Sequence, residues 1–380
     1  MLTRRNSLYF LLGLVLSLAA LSLLGSMAES SDLARNFVRF HSGIGLEFNY
    51  FATANDIRSI IAPDPADKAK ITVIVGGDSV LFGETQKEPV IWTQLLQKKL
   101  GDNFRVINLA RRGGALNEFG NIATEMLLAE GRPVIYLCNT FPVSFGTPVE
   151  HGSYQRTVFN AWQQGYLLDW PARERKLRTA YWSPMEKFRE NAWGALLDRF
   201  LYFDEFWNYV AYEHGQTVWN KWLALDSARP LRLAPDGTPD PEWYKAHRYP
   251  GGAENQEMME HLQVYLLSPD DPGWQTARST IRDEMPSALR AKSLIGIDLI
   301  SPHYRRQFTT EDQDRYASTV DTMAALLKDE GFHQVFLLGE NFDEDDYSDA
   351  GHLSVVGGQK LAERLAPEIV KMTAELGYQK

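Results

Sequence analysis

The chain has 380 residues, 44% of them apolar and 23% charged, with a net charge of −10 and a pI near 5.4. That length suffices for one large domain or two ordinary ones, and the composition excludes wholesale disorder. The acidic balance offers no clustered basic footprint for a nucleic acid, and the single cysteine, Cys138, excludes an intrachain disulfide and a cysteine-rich metal site.

Arg4 and Arg5 precede a charge-free stretch from Asn6 to Ala28, with its apolar centre at Leu8 to Leu24. A basic flank before such a stretch is expected to keep the N-terminus in the cytoplasm and export the remainder. Two readings stay open for residues 1–29. One is an uncleaved anchor, since the stretch approaches the roughly 20 residues that span a bilayer. It would make the protein single-pass, with its domain on the periplasmic or extracellular side of the cell membrane. The other is a signal peptide cleaved near Ala28, where Ser26 and Ala28 supply small residues, with secretion as the outcome.

Residues 30–69 read as an approach segment. Phe37, Phe40, Phe48, Tyr50 and Phe51 suit packing on a domain, and Pro63 and Pro65 mark a turn before it. The pattern then becomes α/β. Ile71 to Val75 is a β-branched apolar run closed by Gly76-Gly77, as in a buried parallel strand. Pro89 to Leu100 predicts a helix, Phe104 to Leu109 a strand, Asn117 to Glu130 a helix, and Pro133 to Leu137 a third strand. From about 145 to 290 the rhythm stops. This interval holds nine of the ten tryptophans and reads as one large, mainly helical insertion. The rhythm resumes with a strand over Ser293 to Ile300, a helix over Thr310 to Asp329, a strand over Gln334 to Leu338, and a helix over Ser354 to Leu376. Residues 70–144 and 291–380 thus form two parts of one α/β domain, whose alternation implies a parallel sheet covered on both faces. Chemistry in such sheets gathers at the carboxyl ends of the strands.

Four blocks fall at those ends. Gly77-Asp78-Ser79 follows the first strand, placing a hydroxyl beside a helix N-terminus. Asn108-Leu109-Ala110-Arg111-Arg112-Gly113-Gly114 follows the second, where a glycine can bring a backbone N–H close to a substrate. Leu137-Cys138-Asn139 follows the third, and an Asn amide there can donate to an oxyanion. Asp349-Ala350-Gly351-His352 precedes the last helix, where the carboxylate can orient the imidazole that takes a serine proton.

In these blocks the chain resembles the SGNH hydrolase family, with Ser79, Gly113, Asn139 and His352 in the four positions. The last block, DAGHLSVVGG from Asp349 to Gly358, matches best, whereas Thr140 stands where the family's third block carries an Asp after the Asn. The resemblance implies a three-layer α/β/α sandwich, a Ser79–His352–Asp349 triad, and an oxyanion hole from the Ser79 and Gly113 N–H groups and the Asn139 amide. It covers about residues 70–140 and 290–376, not the insertion. With the N-terminal stretch, the chain is similar to membrane-tethered SGNH proteins that transfer or remove acyl groups on exported polysaccharides. That likeness implies an acyl-ester or glycan substrate and a membrane acyl-donor protein as a further partner.

Three features stand beside this reading. Tryptophan faces stack on sugars, but the insertion's tryptophans equally suit its own core. His303, Arg305 and Arg306 follow the fourth strand; the arginines suit a substrate carboxylate or phosphate, and His303 is a second candidate base. Asp343 to Asp346 is rich in carboxylates but lacks calcium-loop spacing, and no histidine pair suits a metal, so neither a catalytic metal nor another cofactor is expected. Esterase and acyltransferase share this machinery. A tethered glycan-binding or assembly factor without turnover, and a secreted lipase, are the alternatives.

Overall fold

The computed structural model describes residues 4–29, 54–62, 70–86, 90–111, 119–141 and 251–378, with Arg39 and Tyr249 as isolated residues. Its sheet has five parallel strands in the order β2-β1-β3-β4-β5. They are β1 (Ile71–Val75), β2 (Phe104–Asn108), β3 (Val134–Thr140), β4 (Ser293–Asp298) and β5 (Gln334–Leu338). Every residue of β1, β3 and β4 is buried, which explains why these strands read as continuous runs rather than alternating ones.

Before the sheet lie α1 (Arg4–Glu29) and α2 (Ala54–Ile61). Between the strands run α3 (Ser79–Phe82), α4 (Trp92–Leu100), α5 (Phe119–Ala129), α6 (Gly252–Leu262), α7 (Gly273–Glu284), α8 (Ser287–Arg290), α9 (Pro302–Arg305) and α10 (Thr310–Asp329); α11 (Val355–Glu375) closes the chain. Helix α4 packs on β2 and on α11, α5 on β1 and β3, and α10 on β4 and β5. The chain is therefore an α/β protein built on a parallel sheet.

Local chemistry sets the element ends. Ser354 caps α11 by accepting from Gly357 N, and Thr309 caps α10 by accepting from Asp312 N. Helix α4 starts at Trp92, with Ile91 in extended conformation, three residues inside its expected span. Strand β3 runs three residues past its expected end, because Cys138, Asn139 and Thr140 pair with Ile295, Gly296 and Ile297 of β4. Asn139 therefore sits in the ladder and not in a loop beyond it.

The expected membrane anchor is corrected. Residues of the apolar stretch are helical in α1, yet among the described residues no helix is long and apolar enough to cross a membrane. A span needs about 20 consecutive apolar residues, a run that no helix among the described residues provides. The single-pass placement does not hold. Most of the expected insertion, including eight of its nine tryptophans, lies outside the described residues; Trp274 is buried in α7.

The approach to the sheet is held by arginines. Arg105 donates to the carbonyls of Ile60 (2.6 Å), Ala62 (2.8 Å) and Ile61 (3.3 Å), and Arg132 donates to Ile61 O (3.1 Å), so two cations satisfy the open carbonyl end of α2. Arg39 donates to the carbonyls of Phe82, Gly83 and Gln86, the turn that ends α3.

Candidate active site

Strand order reverses between β1 and β3: the chain steps one way from β1 to β2 and the other way from β3 to β5. Loops leaving the carboxyl ends of neighbouring strands diverge at such a point and open a crevice. Gly77-Asp78-Ser79 leaves β1 there, and Asn139 stands opposite at the end of β3.

The turn into α3 is tightly specified. Gly77 has φ 95°, and a Cβ on it would lie 1.9 Å from Asn139 Oδ1, so only glycine allows this approach. Asn139 Oδ1 accepts from Asp78 N at 3.0 Å, and Asp78 Oδ1 accepts from Val80 N at 2.8 Å. Asn108, at the end of β2, donates to the Leu81 and Phe82 carbonyls from the other side (3.3 and 3.4 Å). Ser79 is thus the first residue of a short helix pinned at both ends, and its N–H belongs to the first turn, which has no intrahelical partner.

His352 arrives on the loop between β5 and α11. Asp349 Oδ1 accepts from the N–H groups of Gly351 (2.9 Å) and His352 (2.8 Å), folding the loop around its own carboxylate. The other oxygen, Oδ2, is 2.7 Å from His352 Nδ1, and His352 Nε2 is 2.8 Å from Ser79 Oγ. With Nδ1–H donating to Asp349, the neutral imidazole presents its Nε2 lone pair to the serine O–H.

Two side chains lock the His loop to the Ser turn. Thr85 Oγ1 donates to Leu353 O (2.8 Å), and Gln86 Nε2 donates to the carbonyls of Leu353 and Ser354 (3.3 Å each) while its Oε1 accepts from Trp92 N (2.9 Å). Gly358 belongs to this contact: a Cβ there would lie 2.5 Å from the Gln86 amide.

The electrostatics favour an imidazolium–carboxylate pair. Burial pushes His352 down, but the charge and hydrogen bond of Asp349, with Glu84 and Asp78 adding to them, more than reverse this and raise it to about 9. Burial pushes Asp349 up, yet the His352 charge and the hydrogen bonds from His352 and Gly351 hold its carboxyl below the usual range.

The other expected residues fall elsewhere. Both hydrogens of Asn139 Nδ2 are engaged, one by Asp78 Oδ1 and one by Asp298 Oδ2, at 2.7 Å each. In this arrangement neither points at an oxyanion. Gly113 lies outside the described residues. His303 stacks on Tyr249 (centroids 3.9 Å apart, planes at 6°), and its Nδ1 is 4.0 Å from Glu344 Oε1, the oxygen that Arg306 also pairs with. Arg305 Nε is buried without a partner among the described residues. Instead of joining the relay, this segment backs the His loop: Ser301 N donates to Ala350 O (2.8 Å), and the charge of Asp349 adds to burial in raising the Tyr304 hydroxyl to about 12. The acidic run forms a turn in which Asp346, buried, pairs with Lys360 at 2.7 Å.

Sequence reasoning missed Gln86, Asn108 and Asp298 as parts of the site. Asp298 left a signal, a charged residue closing the otherwise apolar strand SLIGID. Gln86 left none.

No family model matches the chain, and no curated protein matches it. One solved crystal structure is similar over 80% of this chain and 98% of its own, at 11% identity and a TM-score of 0.31, a likeness too weak to carry an argument.

Proposed function

We propose that this chain is a serine-dependent ester enzyme of the SGNH type. The observation that carries this reading is the continuous relay from Ser79 Oγ to His352 Nε2 (2.8 Å) and from His352 Nδ1 to Asp349 Oδ2 (2.7 Å), at the switch point of a parallel sheet. Ser79 attacks an ester carbonyl as His352 takes its proton. Asp349 holds the imidazole and stabilises its charge. His352 then returns the proton to the departing alcohol, and a second hydroxyl, of water or of a sugar, attacks the acyl-serine. Water as acceptor gives an esterase, and a sugar hydroxyl gives an acyltransferase. The tryptophan-rich interval supports a glycan as the acceptor or the acylated substrate. The packing of α4 on β2 and α11, of α5 on β1 and β3, and of α10 on β4 and β5 supports the three-layer sandwich, with residues 145–290 inserted into it.

One observation favours a second reading, glycan binding without turnover: both N–H groups of Asn139 are already bound to carboxylates. Labelling with a fluorophosphonate serine probe separates the two. Rapid labelling of the wild type, lost in Ser79→Ala and in His352→Ala, is the expected result. A folded wild type that stays unlabelled would favour binding without turnover.

A further inference from the structure

Strand β4 ends on a carboxyl that the relay does not use. Asp298 is 2% exposed, and it shares the Nδ2 of Asn139 with Asp78 at 2.7 Å from each. One amide nitrogen thus brings the two buried carboxyls together, and Asp298 feels the Asp78 charge. Two anions held this close in a buried site repel each other, so one of the two carboxyls keeps its hydrogen. Burial raises the Asp78 carboxyl as well, but Asn139, the Val80 N–H and the His352 charge all favour its ionised form, so it is the better-stabilised anion of the two. Asp298 has Asn139 alone, and its Oδ1 has no partner among the described residues. Burial and then the Asp78 charge push Asp298 well above the carboxyl range, as expected of two carboxyls that share one buried site.

We propose that Asp298 is a positioning residue that carries the proton of this pair, donates it to Asp78, and so holds the Asp78–Ser79 turn with one negative charge beneath the nucleophile instead of two. Its surroundings suit this role. Asp78 faces it from the turn after β1, with His352 beyond. Tyr265, after α6, feels both carboxyls and Tyr316, on α10, feels Asp298, but burial above all raises both hydroxyls to about 12, so they stay neutral. Tyr347, before the His loop, is raised as well. Among the cations nearby, Arg305 on α9 is felt by Tyr316 and Tyr347, and buried Arg111, whose N–H donates to Gly77 O at 3.2 Å, lies beside the turn. As pH rises the shared proton leaves. A second charge then repels Asp78, competes for the Asn139 hydrogens, and opposes an oxyanion forming above.

The kinetic part of this inference rests on the serine-relay reading; the proton does not. Asp298→Asn keeps the shape and a donor toward Asp78 while removing the titration. Two readouts on the full chain test it. Infrared spectroscopy at neutral pH is expected to show a protonated-carboxyl carbonyl band in the wild type and in Ser79→Ala that is missing in Asp298→Asn. The ratio of fluorophosphonate labelling rates, Asp298→Asn over wild type, is expected to climb on the order of tenfold from the acid to the alkaline side, as a single unneutralised charge comes to oppose the forming oxyanion. A band unchanged in Asp298→Asn overturns the assignment, as does a flat ratio across pH. A wild type that never labels, but whose band disappears in Asp298→Asn, sinks the relay reading and supports the proton.

Discussion

An unassisted serine hydroxyl is a weak nucleophile, and in this site the protonation of His352 decides when Ser79 becomes a strong one. The free base must be neutral to accept a proton. With His352 raised to about 9, the labelling rate of the wild type is expected to climb with pH and level off only above that value. Asp349→Asn should cost about two to four orders of magnitude in rate, because the imidazole loses its orienting acceptor. The same pairing has a stability signature. A histidine raised above its ordinary value of 6.5 stabilises the fold fully below that pH, and the contribution is lost as pH rises through about 9. Asp349, held below 3.8, contributes above that value and loses its share as pH falls further. Asp349→Ala should therefore lower the melting temperature most between about pH 4 and 6.5, with the gap closing on the alkaline side. The effect should be modest, since the two side chains are 42% and 29% exposed and water screens them.

Among the elements, the helix ends show most plainly how sequence becomes architecture. Capping residues and hydrophobic period fix α10 and α11 locally, which is why Thr310 to Asp329 was readable to the residue. What joins α10 to α7 was not readable. Glu330, just past α10, has a side chain 2% exposed and is held by Arg282 at 2.7 and 2.9 Å and by Arg278 at 3.1 Å, while its carbonyl accepts from Arg290 at 2.5 Å. Removing the carboxylate leaves guanidinium groups from two neighbouring helices facing one another without their counter-charge. Glu330→Ala is expected to lower the unfolding free energy by about 3 kcal/mol, the usual cost of breaking one side of a buried pair. Denaturant unfolding checks this, and a shift under 1 kcal/mol would show that exposed Arg282 contributes little.

Across the whole molecule, the site exists because two distant parts of the chain are clasped. Gln86 is 1% exposed, and its amide reaches carbonyls 267 and 268 residues away while anchoring the start of α4. Gln86→Ala should loosen the His loop from the Ser turn. Labelling of Ser79 is expected to fall at least tenfold, with about 2 kcal/mol lost from stability as buried partners go unpaired. Circular dichroism of the folded variant separates these effects, and unchanged labelling would show that backbone contacts alone set the 2.8 Å approach.

The sequence by itself determined the strand–helix alternation, the parallel sheet and the placement of Ser79, Asp349 and His352 at strand ends, because period, caps and breakers act over a few residues. It also carried the expectation of a membrane-crossing helix, which the described residues do not contain. Only the tertiary structure decided that Asn139 serves two carboxyls, that His303 and Arg306 turn to Glu344, and that Asp298, Asn108 and Gln86 belong to the site. Those choices depend on which strands become neighbours. Strand β1 lies between β2 and β3, and β3 pairs with β4 across more than 150 residues of chain, so the partners of a buried polar group are set by sheet order and not by anything local to it.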